Sequence, residues 1–250
     1  MTAELRTEGV TKAFGGVHAL TDCSLTAPAG QITGLIGPNG SGKTTLFNVM
    51  TGYERIDAGH VYLGDRQITG AAPARVYGMG VGRTFQLTRV FSRLTVLENM
   101  LVPAQRGRSG REHRKRALDL LAFTGIANHA DALAGTLSYG QRKLLELAYV
   151  LVADPAVVLL DEPAGGVNPT LIQHIADRIR ELNKEGRTFL IVEHNMDFVM
   201  SLCHQVTVLD SGTVVASGRP DEIRANPRVL DAYLGTDTEG DDDEGGRAHD

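Results

Sequence analysis

One short segment of the chain combines three glycines with a lysine and a threonine. The glycines let the backbone turn with its amide N–H groups pointing inward, Lys43 supplies a point charge, and the Thr44 hydroxyl suits Mg²⁺. An apolar stretch precedes the segment and a helical pattern follows it, which is the context that a phosphate-binding loop requires. Phosphates would meet the loop amides and a helix N-terminus. The predicted nucleotide-binding residues are Gly37, Pro38, Asn39, Gly40, Ser41, Gly42, Lys43, Thr44 and the adjoining Thr45.

Two acidic residues, Asp161 and Glu162, end a second apolar stretch. They would lie at the carboxyl edge of a buried strand, where open α/β sheets bind ligands. Alone they are equally consistent with a turn, but beside a phosphate loop they fit its acidic Walker B partner. Because successive strand side chains point to opposite faces, we expect two roles. Asp161 would hold Mg²⁺, and Glu162 would orient or polarise the attacking water.

A serine and a glutamine, Ser138 and Gln141, precede apolar residues spaced as one face of an amphipathic helix. Their spacing is that of a capping box, in which each side chain satisfies a free N–H group of the first turn. Helix initiation alone therefore explains both residues. Nothing in this segment by itself requires a ligand.

The elements that must position these residues alternate along the chain. Short apolar runs predict strands buried on both faces, and the helical patterns between them predict an α/β fold with a mostly parallel sheet. Residues 94–153 interrupt the alternation and predict an inserted helical region. The strand candidates are residues 31–36, 156–160, 188–192 and 205–209, and the helix candidates are residues 43–51, 169–184 and 196–202.

Composition excludes several classes of protein. The chain has 250 residues, 42% of them apolar, which is enough for a substantial core, and it lacks both a secretory signal pattern and an uncharged apolar run long enough to span a membrane. We therefore expect a cytosolic protein with reduced thiols at Cys23 and Cys203. The net charge is −5, but residues 236–250 hold seven acids and one arginine and the remainder is close to neutral, so charge indicates no nucleic-acid partner. This tail should be disordered.

The segment LSYGQ, from Leu137 to Gln141, resembles the LSGGQ signature of ABC-type ATPases, with Tyr139 in place of the first glycine. The resemblance implies that Ser138, Gly140 and Gln141 face the γ-phosphate of ATP held by a partner subunit. Two nucleotides would then be enclosed in a head-to-tail dimer.

Three further residues fit this resemblance. Phe14 stands where the family stacks an aromatic ring on adenine, Gln86 resembles the Q-loop glutamine that contacts Mg²⁺ and the reacting water, and His194 resembles the switch histidine of catalysis. Alone, Phe14 would most simply be a core residue and His194 a structural one. Their order and spacing, over residues 4–235, carry the resemblance.

The resemblance implies an ABC ATPase that uses ATP and Mg²⁺. Its fold would be α/β: a P-loop NTPase core with a mostly parallel sheet, an N-terminal antiparallel β portion and an inserted α-helical subdomain at about 88–155. The ATP-binding domain would cover residues 1–235. One residue departs from the family pattern: Asn168 stands where the D-loop commonly has aspartate. The replacement removes a charge from the expected dimer interface.

Several segments, among them GVGRTFQ and VEHNMDFVM, resemble the ATPases of branched-chain amino-acid importers. That branch implies separate transmembrane permease subunits, a second ATPase subunit in a homo- or heterodimer, an indirect solute-binding protein and a position on the inner face of the cell membrane. The alternatives are the ATPase of a lipid or lipopolysaccharide exporter and a soluble ABC ATPase without a transport role.

Overall fold

The computed structural model describes residues 2–85, 90–103 and 109–229. Two predictions lie outside these residues: the roles of Gln86 and the disorder of the acidic tail at 236–250. Both stay predictions, as do the domain boundaries given above. Within the described residues ten strands form two sheets. The strands are β1 (Leu5–Phe14), β2 (Val17–Ala27), β3 (Ile32–Ile36), β4 (Ala58–Leu63), β5 (Arg66–Gln67), β6 (Val81–Arg83), β7 (Val157–Asp161), β8 (Thr188–Val192), β9 (Gln205–Asp210) and β10 (Thr213–Gly218).

Eight α-helices accompany these strands in the described part of the chain. Two of them begin where an asparagine side chain caps the first turn: Asn168 accepts from the Leu171 N–H, and Asn195 accepts from the Phe198 N–H. The helices are α1 (Lys43–Met50), α2 (Pro73–Gly78), α3 (Val96–Leu101), α4 (Gly110–Phe123), α5 (Tyr139–Leu151), α6 (Pro169–Lys184), α7 (Met196–Leu202) and α8 (Pro220–Arg224).

The larger sheet has six strands in the order β10-β9-β3-β8-β7-β6. All neighbouring pairs are parallel except β10 with β9. The smaller sheet has the order β2-β1-β4-β5 and is antiparallel throughout. The predicted fold class is confirmed: a mostly parallel α/β core accompanies an N-terminal antiparallel sheet and a helical insertion.

Side chains of the central strands alternate between two cores, as the period of two in a strand requires. On β7, Val157 and Leu159 pack with α1 and the antiparallel sheet, whereas Val158 and Leu160 pack with α5, α6 and α7. All four are buried. The central strands are therefore apolar on both faces, which is why their sequences read as continuous apolar runs.

Between β6 and β7 the described residues form α3, α4, α5 and two short 3₁₀ turns, with one isolated bridge between Thr95 and Leu133. This agrees with the helical character predicted for residues 94–153. The two parts of the chain share one apolar core, because residues of α3, α4 and α5 pack with residues of β7, β8, α6 and α7.

Both cysteines are free and buried, as predicted, and burial raises the pKa of each thiol to about 12. Among the residues described here, no helix combines the length and the hydrophobicity that a membrane crossing needs.

The hydroxyl of Thr188 joins three segments of the core and provides a test of the packing. It donates to the Ala3 carbonyl at 2.7 Å and accepts from the Gly30 N–H at 2.9 Å, in a site with no exposure. Thr188→Val keeps the shape but leaves both backbone groups without this partner, so we expect the free energy of unfolding to fall by about 1–3 kcal/mol. Urea unfolding measures the loss. Thr188→Ser keeps the hydroxyl and is the control; equal stability of the two variants would contradict the prediction.

Candidate active site

The predicted phosphate loop connects β3, the third strand of the six-stranded sheet, to α1. Its first and last glycines have positive φ angles, 151° at Gly37 and 101° at Gly42. A Cβ atom would lie 2.0 Å from the Leu209 carbonyl oxygen at Gly37 and 2.5 Å from the Ala19 carbonyl oxygen at Gly42. Only glycine fits these two positions, so the loop passes close to neighbouring backbone without a side chain in the way.

Lys43, the first residue of α1, folds back over the loop. Its Nζ donates to the carbonyl oxygens of Gly37 at 2.8 Å and Pro38 at 2.7 Å, and the residue is 7% exposed. Burial lowers the pKa of Lys43, and the negative charges of Glu162 and Asp161 act in the opposite direction. The ammonium group is thus held above the loop, and the two predicted carboxylates contribute to its electrostatic environment.

The order of the strands explains why these groups meet. Strand β8 lies between β3 and β7, so the loop after β3, the acids at the end of β7 and His194 beyond β8 share one carboxyl edge. This is the edge where parallel sheets bind ligands. The structure brings together the three groups that the sequence predicted separately.

Asp161 ends β7 and is 4% exposed. Its Oδ2 lies 3.3 Å from an amino group of Arg83, and its N–H donates to the Thr84 hydroxyl at 2.9 Å. Burial raises the pKa of the Asp161 carboxyl, while the Arg83 guanidinium opposes that shift. Arg83 also donates to the Asn48 side chain at 2.7 Å, which links the acid to α1.

Glu162 lies beyond the strand, with φ 48°, a conformation that is uncommon for a residue other than glycine. The two predicted roles therefore do not follow from side chains alternating along one strand. Asp161 and Glu162 differ because Glu162 lies in the turn after the strand. The Oε1 of Glu162 lies 3.1 Å from Nε2 of His194, whose side chain is 44% exposed. A carboxylate in contact with an accessible imidazole suits the positioning of water and proton transfer.

Glu193, which the sequence motifs left without a role, organises this edge. It is 2% exposed, and its carboxylate accepts from the N–H groups of Ala164 at 2.5 Å, His194 at 3.1 Å and Asn195 at 3.3 Å. Burial raises the pKa of the Glu193 carboxyl, and these hydrogen bonds oppose the shift. Glu193 thereby holds the segment after Glu162 against the turn that carries His194. An acid after an apolar strand was the available signal, as it had been for Asp161.

The capping box predicted at Ser138 and Gln141 is present. The Gln141 N–H donates to the Ser138 hydroxyl at 3.2 Å, and the Ser138 N–H donates to the Gln141 side chain at 2.9 Å. Ser138 and Tyr139 are exposed, and a Cβ at Gly166 would lie 3.1 Å from the Tyr139 ring. The first turn of α5 is thus an accessible helix N-terminus packed beside the segment after β7.

Phe14 is 47% exposed, so the interpretation of this residue as part of the core is wrong. It ends β1, and the ammonium group of Lys12 lies 4.8 Å from the centre of its ring. An exposed aromatic face is available for stacking on a base. The predicted role at adenine stays a prediction, since no described contact tests it.

The oxygen donors at this edge fit Mg²⁺. Thr44 is exposed in the first turn of α1, and its hydroxyl and the Asp161 carboxylate are hard oxygen donors of the kind that Mg²⁺ prefers. The described residues contain no group of three or more His, Cys, Asp or Glu side chains placed for a metal ion. Among the described residues, Mg²⁺ would therefore depend on these two donors together with phosphate oxygens; the third predicted ligand, Gln86, lies outside them.

Comparisons with known proteins agree with this arrangement. Residues 20–165 match a family described as ABC transporter, and residues 213–239 match one described as branched-chain amino acid ATP-binding cassette transporter. The high-affinity branched-chain amino acid transport ATP-binding protein LivG of Salmonella typhimurium is 39% identical over 249 residues, which cover 92% of this chain and 97% of the relative.

Solved structures share the fold. The ADP conformation of an ATP-binding cassette of an ABC transporter is 36% identical with a TM-score of 0.85, covering 94% of this chain and 99% of that chain. A dimeric post-hydrolysis state of another ATP-binding cassette, bound to ADP and Pi, is 25% identical with a TM-score of 0.79, covering 86% of this chain and 98% of the other.

The close packing of α5 on α6 provides a test of the site. A Cβ at Gly140 would lie 2.3 Å from Cδ2 of Leu171, the end of a side chain that can shift, so we expect Gly140→Ala to lower the free energy of unfolding by about 1 kcal/mol. Gly110→Ala, at a position with no atom within 4 Å, is the matched control and should not destabilise. Chemical unfolding measures both. Combining Gly140→Ala with Leu171→Ala should cost less than the sum of the two single changes, and strict additivity would contradict the contact.

Proposed function

This chain belongs to the ABC transporter family and is an ABC ATPase, and we propose that it energises the import of branched-chain or other hydrophilic amino acids through separate permease subunits. The match over residues 213–239 and the full-length relative favour this branch over a lipid or lipopolysaccharide exporter and over a soluble ABC ATPase. The chain would act on the inner face of the cell membrane, and a solute-binding protein would take part indirectly.

The observation that carries the catalytic proposal is the convergence of Lys43, Glu162 and His194 at one sheet edge. Lys43 would exchange its loop carbonyl contacts for the β and γ phosphates, a charge-assisted interaction. Loop amides of residues 37–45 and the α1 N-terminus would hold the remaining phosphate oxygens. Phe14, exposed at the end of β1, would stack on adenine.

Hydrolysis would depend on Glu162. Its carboxylate orients a water molecule for attack on the γ phosphorus, the bond from that phosphorus to the bridging oxygen breaks, and the carboxylate accepts the water proton. His194, 3.1 Å from Glu162, would keep that carboxylate in place and contact the γ-phosphate. Gln86 would also contact the water. Mg²⁺ bound by Thr44, Asp161 and Gln86 would neutralise charge on the phosphate oxygens.

The exposure of both anion-binding segments supports a dimer. A cavity of about 540 Å³ between α4 and α6 contains none of the predicted site residues. Asn39 and Gly40 of the phosphate loop and Ser138 at the start of α5 are all exposed, so one chain presents two open half-sites. We propose that Ser138, Gly140 and Gln141 of a second ATPase subunit, identical or similar, close the site over the γ-phosphate; the dimeric cassette bound to ADP and Pi is the precedent.

Replacing Lys43 and Phe14 separates phosphate binding from base stacking. Lys43→Ala removes the positive side chain of the loop, so the Kd for ATP should rise by about 100-fold. Phe14→Ala should weaken binding by about 1–3 kcal/mol, equally for ATP and ADP, because stacking does not involve the γ-phosphate. Equilibrium titration with fluorescent nucleotides measures both. Selective loss of ATP affinity in Phe14→Ala would remove this residue from the adenine site.

Glu162→Gln tests catalysis and the dimer together. The amide keeps the side-chain size but cannot accept the proton, so binding should survive while kcat falls by at least about 100-fold. Unhydrolysed ATP should then hold two chains together, and size-exclusion chromatography should show a dimer with ATP but not with ADP.

Adding Ser138→Arg should abolish that dimer by filling the second half-site, without preventing nucleotide binding to the phosphate loop. The control is the same pair of variants with any paired ATPase subunit, because the partner can be a different chain. Turnover by Glu162→Gln at a rate close to wild type would reassign the catalytic base. Association independent of ATP in both settings would contradict the shared site.

A further inference from the structure

Helix α5 carries two charged side chains that lie inside the protein. Lys143 and Glu146 are each 6% exposed, and they follow the turn that holds Ser138. A buried charge costs free energy unless it is paired and hydrogen-bonded. Their partners therefore indicate what the burial achieves, and neither residue takes part in the hydrolysis proposed above.

Lys143 reaches the backbone of the proposed catalytic residue. Its Nζ donates to the carbonyl oxygen of Glu162 at 2.9 Å, and the Gly165 N–H donates to the same oxygen at 3.1 Å. The Glu162 N–H donates to the Val192 carbonyl at 2.9 Å. These bonds fix both peptide groups of a residue whose φ angle is 48°. Such a conformation persists only where its surroundings hold it, and Lys143 brings α5 into that support.

Glu146 holds a second part of the same edge. Its carboxylate accepts from the Phe85 N–H at 2.8 Å. Phe85 directly precedes Gln86 in the sequence, and the neighbouring Thr84 is bonded to β7 through the Leu159 carbonyl and the Asp161 N–H. Glu146 therefore fastens α5 to the point where the chain leaves the sheet before the predicted Q-loop glutamine.

The first turn of α5 is packed against the same region. The Lys143 ammonium lies 5.8 Å from the centre of the Tyr139 ring, which in turn lies against Gly166. The N-terminus of α5, Lys143 and the segment after Glu162 thus form one continuous set of contacts. A change of position at the start of α5 has a direct path to the catalytic backbone.

We propose that Lys143 and Glu146 are positioning residues that couple the N-terminus of α5 to the catalytic edge of their own chain. The proposal rests on the proposed function, in which Ser138 meets the nucleotide of the second chain and Glu162 acts on this chain's own nucleotide. When the first turn of α5 engages a phosphate, Lys143 and Glu146 set the backbone at Glu162 and Phe85. Each subunit then adjusts its own site to the nucleotide of the other.

The first test compares kcat with nucleotide affinity in the full-length chain, with its paired ATPase subunit where one is needed for turnover. Lys143→Met keeps an unbranched side chain but removes the donor, so kcat should fall by about 10-fold or more while the Kd for ATP stays within about twofold. Lys143→Arg keeps a charged donor and should retain more activity than Lys143→Met. Lys115→Met, at an exposed lysine of α4, is the control and should match wild type.

Two variants of Glu146 form a matched pair, and their interpretation does not depend on whether Lys143→Met folds. Glu146→Gln keeps an acceptor oxygen for the Phe85 N–H and should keep at least about half of kcat, whereas Glu146→Leu should lose about 10-fold. Melting curves identify any variant that is simply unfolded. If Lys143→Met and Glu146→Leu, both folded, turn over ATP as wild type does, the positioning role is wrong.

Coupling itself is measured by a double-mutant cycle. Ser138→Ala should lower kcat in the wild-type background. In the Lys143→Met background it should lower kcat by less than a further factor of about two, because the contacts through which Ser138 acts are already lost. Fully multiplicative effects would overturn the coupling. Glu162→Gln separates the two proposals: if that variant still hydrolyses ATP at a rate close to wild type, the catalytic role proposed for Glu162 fails, and if it is inactive while Lys143→Met is normal, only the coupling fails.

Discussion

The proposed catalytic edge depends on the pairing of charges that are buried where the parallel strands end. Asp161 lies against Arg83, Glu193 accepts three backbone N–H groups, and Lys43 folds onto the carbonyls of its own loop. A charge left without a partner at such depth costs several kcal/mol. Each pairing therefore fixes both a side chain and the strand or loop that supplies its partner, and the loops proposed to hold a nucleotide are fixed in consequence.

Backbone strain is present at Glu162, the residue proposed to supply the catalytic carboxylate. Glu162 has a left-handed conformation that glycine would adopt without cost, at a cost of about 1–2 kcal/mol for any other residue. The Lys143 and Val192 contacts hold its backbone, and His194 contacts its side chain. The strained turn directs Glu162 away from the path of β7, so Asp161 and Glu162 occupy different environments although they are adjacent in the chain.

The sequence predicted the elements with strong periodicity and clear end signals. Helices 169–184 and 196–202 have the predicted bounds because Asn168 and Asn195 cap them, and strand 188–192 is apolar on both faces. The strand before the phosphate loop begins one residue later than predicted, and the strand before Glu162 is shifted by one residue at both ends, since hydrogen bonding rather than hydropathy decides where a strand begins and ends. The role of Glu193 was missed because an acid after an apolar strand does not by itself reveal that its partners are backbone amides from two loops.

The signature segment shows that a structural and a functional interpretation can hold for the same residues. Four N–H groups at a helix N-terminus lack partners within the helix, and a capping box satisfies the amides of its first and fourth residues, here Ser138 and Gln141. The box itself does not use the amides of Tyr139 and Gly140, which lie between them in the exposed first turn of α5. A phosphate oxygen supplied by a second chain would meet those amides and the positive end of the helix dipole. Capping by Ser138 would therefore not compete with the proposed anion binding, because it leaves these two amides available.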